Sequence, residues 1–317
     1  MRLFLLAFRI AAFLFVLYPN YSVAAQQSLS ITTSIQPLGL ILSELTQNTS
    51  ATIHVLIPAN QSSHDFSLRP KDIMSLSRSD LVIWLGPELE HFFQKPIEQL
   101  AKTKSDHILT LLTAPNIKKQ LLPLRSGAQW QDPHHHHEDE DHHETTSIDP
   151  HIWLSPKLML EMARLITKKL IALNPAEANI YFTNFKRLAS QLILIDKAYR
   201  QAFIQSTHRY LVLHDSYQYL EKSYHLPITG VLAIHPDRPS SIKMLREAQQ
   251  RIAQDQVSCI LSEAPFHLKL IEVLLEELSG KKPKVVQLWP LADSFELKAG
   301  NYQAWQLQML KSIQNCE

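Results

Sequence analysis

The chain has 317 residues, of which 45% are hydrophobic and 19% charged, and its formal net charge is +1. That length exceeds one ordinary compact core and suits two domains, and the composition excludes a disordered chain. A charge this close to zero gives no basic field to hold nucleic acid, so none is expected as a partner.

Residues 1–25 read as a cleaved export leader. Arg2 gives a positive start, 3–18 is apolar apart from Arg9, and Ser22, Val23, Ala24 and Ala25 form a small-residue cleavage site. The other reading is a membrane anchor, but the strongest uninterrupted stretch, 10–18, is too short to span a bilayer. No cysteine lies near the cleavage site, so a lipid-anchored form is not expected and a soluble periplasmic protein is. Cys259 and Cys316 are the only cysteines of the chain. In an exported protein they invite one disulfide, with two buried free thiols as the other reading. In the loop-entropy model such a bridge stabilises by about 4 kcal/mol at most.

The mature chain alternates strand and helix. Strands are predicted at 30–33, 52–57 and 81–85, the last closed by Gly86 and Pro87. Helices are predicted at 36–46, at 70–77 with Pro70 in the first turn, and at 88–100. The segment 131–144, QDPHHHHEDEDHHE, has no apolar residue and reads as a loop that cannot bury anything. A helix follows at 157–173. Asn174, Pro175 and Glu177 then give a cap, a proline in the first turn and an acid at the third position. From there Tyr181, Phe185, Leu188, Leu192, Ile195, Tyr199 and Ala202 keep a 3–4 spacing without Gly or Pro. One helix of about 30 residues would be about 45 Å long, enough to cross from one domain to another; two helices with an unmarked kink are the other reading. The pattern resumes with strands at 210–213, 228–231, 259–261 and 285–288 and helices at 241–254, 265–279 and 302–313.

The expectation is therefore an α/β chain of two lobes, 26–173 and 208–317, joined by one long rigid helix within 174–207. Each lobe would hold a mostly parallel sheet with flanking helices. Ligands of open α/β sheets sit beyond the carboxyl ends of the strands, here in the cleft between the lobes.

Histidines carry the chemistry. His134, His135, His136, His137, His142 and His143 lie in the polar loop among five acids. Imidazole suits Zn²⁺, Cu²⁺ and Ni²⁺, so the loop reads as a low-affinity metal site without fixed geometry, the alternative being a solvated charged loop. Three others stand at element boundaries: His64 in SSHDFSLRPKD, His151 in DPHIWLSP, and His214 at the end of the strand in VLHDSY. Three histidines meeting in a cleft give three nitrogens of a tetrahedral zinc site. Asp65, Asp149 and Asp215 lie one or two positions away and could orient the imidazoles or satisfy local backbone instead. From spacing alone, each histidine is more readily an ordinary satisfied polar residue than a ligand.

The stretch SSHDFSLRPKDIMSLSRSDLVIWLGPELE resembles the first metal motif of the cluster A-I, ZnuA-type substrate-binding proteins of bacterial zinc ABC importers. DPHIWLSP is similar to the family's second motif and VLHDSYQYLEKSY to its third. The His- and acid-rich loop before the second motif, SEAPF at 262–266, the 290–294 segment and the Cys259–Cys316 pair also match zinc-branch members. The resemblance covers essentially all of 29–317. It implies a periplasmic, monomeric, non-enzymatic protein that captures Zn²⁺ and passes it to permease and ATPase subunits, with His64, His151 and His214 as ligands. The fourth ligand is water or a carboxylate in the zinc branch; manganese-branch relatives use an acid to which Asp293 in LADS corresponds. Histidine-rich ligation favours Zn²⁺ over Mn²⁺.

A zinc hydrolase would need an open coordination position and a general base. Glu263 could serve as base, but the chain contains no HExxH pattern. An adhesin of the same superfamily and a metal buffer without a transporter are the remaining alternatives.

Overall fold

The computed structural model describes residues 28–58, 61–64, 66–125, 147–204, 206–233, 242–263, 268–276, 278 and 280–316. The leader at 1–25, Asp65, the His-rich loop and 264–266 of the SEAPF motif lie outside the described residues.

The first sheet is built from β1 (Ser30–Thr33), β2 (Thr52–Val55), β3 (Leu81–Trp84) and β4 (Ile108–Thr110), in the order β2-β1-β3-β4. The second holds β5 (Tyr210–His214), β6 (Ile228–Ala233), β7 (Cys259–Glu263) and β8 (Lys284–Leu288), in the order β6-β5-β7-β8. Every pairing within both sheets is parallel. Parallel strands require crossovers, and helices supply them: α1 (Gln36–Leu45), α2 (Pro70–Arg78) and α3 (Gln94–Lys104) in the first lobe, and α7 (Gln218–Tyr224), α8 (Ile242–Gln254) and α9 (Leu268–Glu276) in the second. Short α4 (Pro115–Lys118) follows β4.

Strand alternation explains how each sheet is covered on two sides. In β3, Leu81 and Ile83 join the central core while Val82 and Trp84 join an outer cluster with Phe93 and Ile97. In β5, Tyr210 and Val212 face the central core, whereas Leu211 and Leu213 face a second outer cluster with Ala248, Ile260 and Leu274. The central core is continuous between the lobes because α5 (Pro156–Leu173) and α6 (Ala178–Phe203) run through it. Ser155 caps α5 by accepting from the Leu158 amide.

The 26-residue α6 is one unbroken helix of about 39 Å. Its buried stripe is Tyr181, Asn184, Leu188, Leu192, Ile195, Tyr199 and Phe203. Asn184 donates to the carbonyls of Leu45 and Gln47, satisfying groups at the end of α1. The cap expected at Asn174 opens a 3₁₀ turn, Pro175–Glu177, ahead of α6. The last helix, α10 (Asn301–Gln314), packs on α6 and also on α1.

One predicted helix is displaced. Instead of 88–100, the chain makes a 3₁₀ turn at His91–Phe93 and then α3 from Gln94. Pro96 explains the shift, since proline is tolerated in the first turn of a helix but not in its interior. Cys259 and Cys316 form a disulfide with Cα atoms 5.8 Å apart, tying the C-terminal end to β7. Among the described residues no helix is long and apolar enough to cross a membrane.

Candidate metal centre

The three boundary histidines meet between the lobes. His64 comes from the segment between β2 and α2, His151 opens the 3₁₀ turn Ile152–Leu154 ahead of α5, and His214 ends β5. Each segment is held locally. The Arg69 amide and guanidinium both donate to Asp72 Oδ2, at 2.9 and 3.0 Å, which closes the first turn of α2 just after the His64 segment. The Ser62 hydroxyl accepts from the His64 amide. Ring centroids are 5.3 Å apart for His64–His151 and for His64–His214, and 4.8 Å for His151–His214. One ligand nitrogen from each lies within 4.8 Å of the others. His64 Nε2 and His151 Nε2 stand 3.3 Å apart.

The far side of two rings is pinned by carboxylates. His151 Nδ1 is 2.7 Å from Asp149 Oδ1, which also accepts from the His151 amide at 2.9 Å. His214 Nδ1 lies 3.1 Å from both oxygens of Glu263, and the Ser216 hydroxyl donates to Glu263 Oε1 at 2.7 Å. A carboxylate at Nδ1 takes its proton as a hydrogen bond and leaves Nε2 as the lone-pair face. His214 Nε2 is buried and has no hydrogen-bond partner among the described residues. A buried orphan of this kind is costly unless something fills its lone pair. The rings enclose a cavity of about 20 Å³, lined also by Glu263, Trp153 and Pro290, which is room for a single ion or water. Nitrogen donors converging on so small a space are a site for a borderline-soft divalent cation.

A family model described as "ZnuA: Zinc-uptake complex component A periplasmic" matches residues 31–316. This chain belongs to the ZnuA family. A high-affinity zinc uptake system protein ZnuA of Haemophilus ducreyi is 33% identical over 281 residues, covering 86% of this chain and 88% of the relative. A crystal structure of ZnuA superposes with a TM-score of 0.72 at 21% identity, covering 92% of this chain and 99% of the other. The Pseudomonas aeruginosa binding protein FpvC in complex with Mn²⁺ gives 0.73 at 20% identity, with coverages of 92% and 98%. These two structural likenesses bear on the fold: two parallel-sheet lobes and a long helix are the architecture of ZnuA-like binding proteins.

Within this ZnuA-family centre the acids behave differently from one another. Glu263 is fully buried, and burial alone would raise its pKa; the facing His214 and the hydrogen bonds from His214 and Ser216 outweigh that and bring it down to about 2. His214 is held above its ordinary value: burial opposes a charged ring, but the charge and hydrogen bond of Glu263 together with the charges of Asp215 and Asp149 outweigh it. Burial raises Asp149 to about 7, against the His151 amide and the charges of His214 and Arg125.

The acids near the histidines have different partners. The Asp215 carboxylate has its ion-pair partner in Arg125, at 3.5 Å, and acts on His214 only through its charge. The partner of His214 is Glu263, which lies in the SEAPF match but to which the sequence assigns no role beyond that of a candidate hydrolytic base. Its position could have been read from topology: β5 and β7 are adjacent, and both residues end their strands on the carboxyl side. Engaged by His214 and Ser216, Glu263 is poorly placed to activate water. Asp293 is not brought into the group of three histidines. Its Oδ1 is buried without a hydrogen-bond partner among the described residues, and burial, then the charge of Glu263, raises its pKa to about 7.

Proposed function

We propose that this protein captures Zn²⁺ in the periplasm, through His64, His151 and His214, and delivers it to the permease and ATPase subunits of an ABC importer. The observation that carries the reading is the set of three imidazoles from both lobes, two of them with Nδ1 held by carboxylates so that Nε2 turns inward. Family membership supports the transport role. A domain division at 26–173, 174–207 and 208–317 accords with two sheets bridged by α6. His134, His135, His136, His137, His142 and His143 are assigned the weaker capture of further zinc, on composition. Each His→Ala change at 64, 151 and 214 should weaken one tight zinc site by at least tenfold in a chelator competition. If all three variants keep the wild-type affinity, the site lies elsewhere. A site for Mn²⁺ or another divalent ion is the second reading. The all-nitrogen donor set favours zinc, and direct competition between the two ions in the same assay separates them.

A further inference from the structure

The segments that flank the His-rich loop meet at one isolated antiparallel bridge. The Leu124 amide donates to Ser147 O and the Asp149 amide to Leu122 O, both at 2.8 Å, around the bridge Pro123–Ile148. Residues bonded face to face in an antiparallel pair exchange two hydrogen bonds. Leu122 and Asp149 exchange only one directly. In place of the second, the Leu122 amide donates to the Tyr219 hydroxyl at 3.2 Å, and that hydroxyl donates to Asp149 O at 2.7 Å. Tyr219 is on α7, in the second lobe, and is 4% exposed. A side chain of one lobe is thus inserted as a missing rung in the ladder of the other.

The rung is at a sensitive place. Asp149 is the residue whose carboxylate receives both the amide and Nδ1 of His151. Nearby, Arg125 of the same segment reaches across to Asp215 and Glu221 of the second lobe, so the connection has a charged companion. We propose that Tyr219 is a positioning residue for the metal centre: by holding the Asp149 carbonyl it fixes the carboxylate that aims His151, and so ties the aim of a first-lobe ligand to the placement of the second lobe. This rests on the reading of His151 as a ligand.

Tyr219→Phe removes only the hydroxyl and keeps the ring. Changes in groups that orient a ligand commonly cost about 10- to 100-fold in metal affinity; acting one bond further out, Tyr219→Phe should cost about tenfold for Zn²⁺, chiefly as faster dissociation into excess chelator. Combined with Asp149→Asn, the loss should be no greater than for Asp149→Asn alone, because both act along one path. Tyr224→Phe is the control. Its hydroxyl, on the same helix, donates to Asp196 at 2.9 Å and does not touch the site, so it should lower thermal stability without changing zinc dissociation. If Tyr219→Phe leaves zinc dissociation unchanged, or Tyr224→Phe accelerates it equally, the positioning role is wrong. An unaffected His151→Ala would instead bring down the site assignment beneath it.

Discussion

Glu263 holds His214 with both oxygens and is itself held by Ser216. Glu263→Gln keeps the size but removes the charge that stabilises a ring bound to a cation. Zinc affinity should fall about 10- to 100-fold with the fold intact by circular dichroism. A wild-type affinity would mean that His214 needs no such support. Asp293→Asn addresses the fourth position: weakened binding of both Zn²⁺ and Mn²⁺ indicates a direct contact, whereas an effect under about twofold on zinc indicates water there. At this scale the proposed ligands were more legible than their supports. His64, His151 and His214 stand in contiguous motifs, and Asp149 is two residues from its ring. Glu263 is 49 residues from His214, and only the strand order brings them together.

Among the elements, those with strong periodicity or punctuation were legible: α5 and α6 from their apolar stripes, α2 from Pro70, β3 from its run of apolar residues. The short ones were not. Three-residue β4 has only partly buried side chains, and α4 and α7, with four and seven residues, are too brief to show a helical period. The missed turn after β3 has its own consequence. Glu90 is fully buried there and accepts from the amides of Leu85 and Gly86, at 2.9 and 3.0 Å. Burial nevertheless prevails and raises its pKa to about 7. The folded protein then keeps this proton while the unfolded chain releases it near its ordinary value of about 4.5, so stability falls as pH rises between those limits. At full effect the loss is about 3 kcal/mol. Glu90→Gln cannot ionise and can still accept both amides. Urea midpoints measured from pH 5 to 8 should decline less in the variant than in the wild type; parallel declines would show that Glu90 is ionised throughout.

For the whole molecule, the two-lobed plan followed from length, strand–helix alternation and one long helix. The way the lobes are fastened did not, because contacts such as Tyr219 to Asp149 join residues far apart in the chain without a local signature. The segments on either side of the His-rich loop, 122–125 and 147–149, are joined by an antiparallel bridge. Deleting 133–144 shortens a connection whose ends are already together, at little cost. The deleted protein should keep one tight zinc isotherm in titration calorimetry and lose the weaker ones. Loss of the tight isotherm with an unchanged circular dichroism spectrum would mean that a loop histidine completes the central site.

The first and last helices also meet. Gln36 donates to Phe295 O, Glu44 accepts from the Gly300 amide, and a Cβ on Gly39 would lie 2.7 Å from Leu297 Cδ2. These hydrogen bonds of α1 join residues 259 and 256 apart in the sequence, so they form only once the second lobe has been made. Contacts between segments this distant in sequence delay folding, because the intervening chain has to close first. The first lobe therefore completes its packing only after a segment that follows β8 has docked on α1, so a first lobe made alone would leave part of α1 bare.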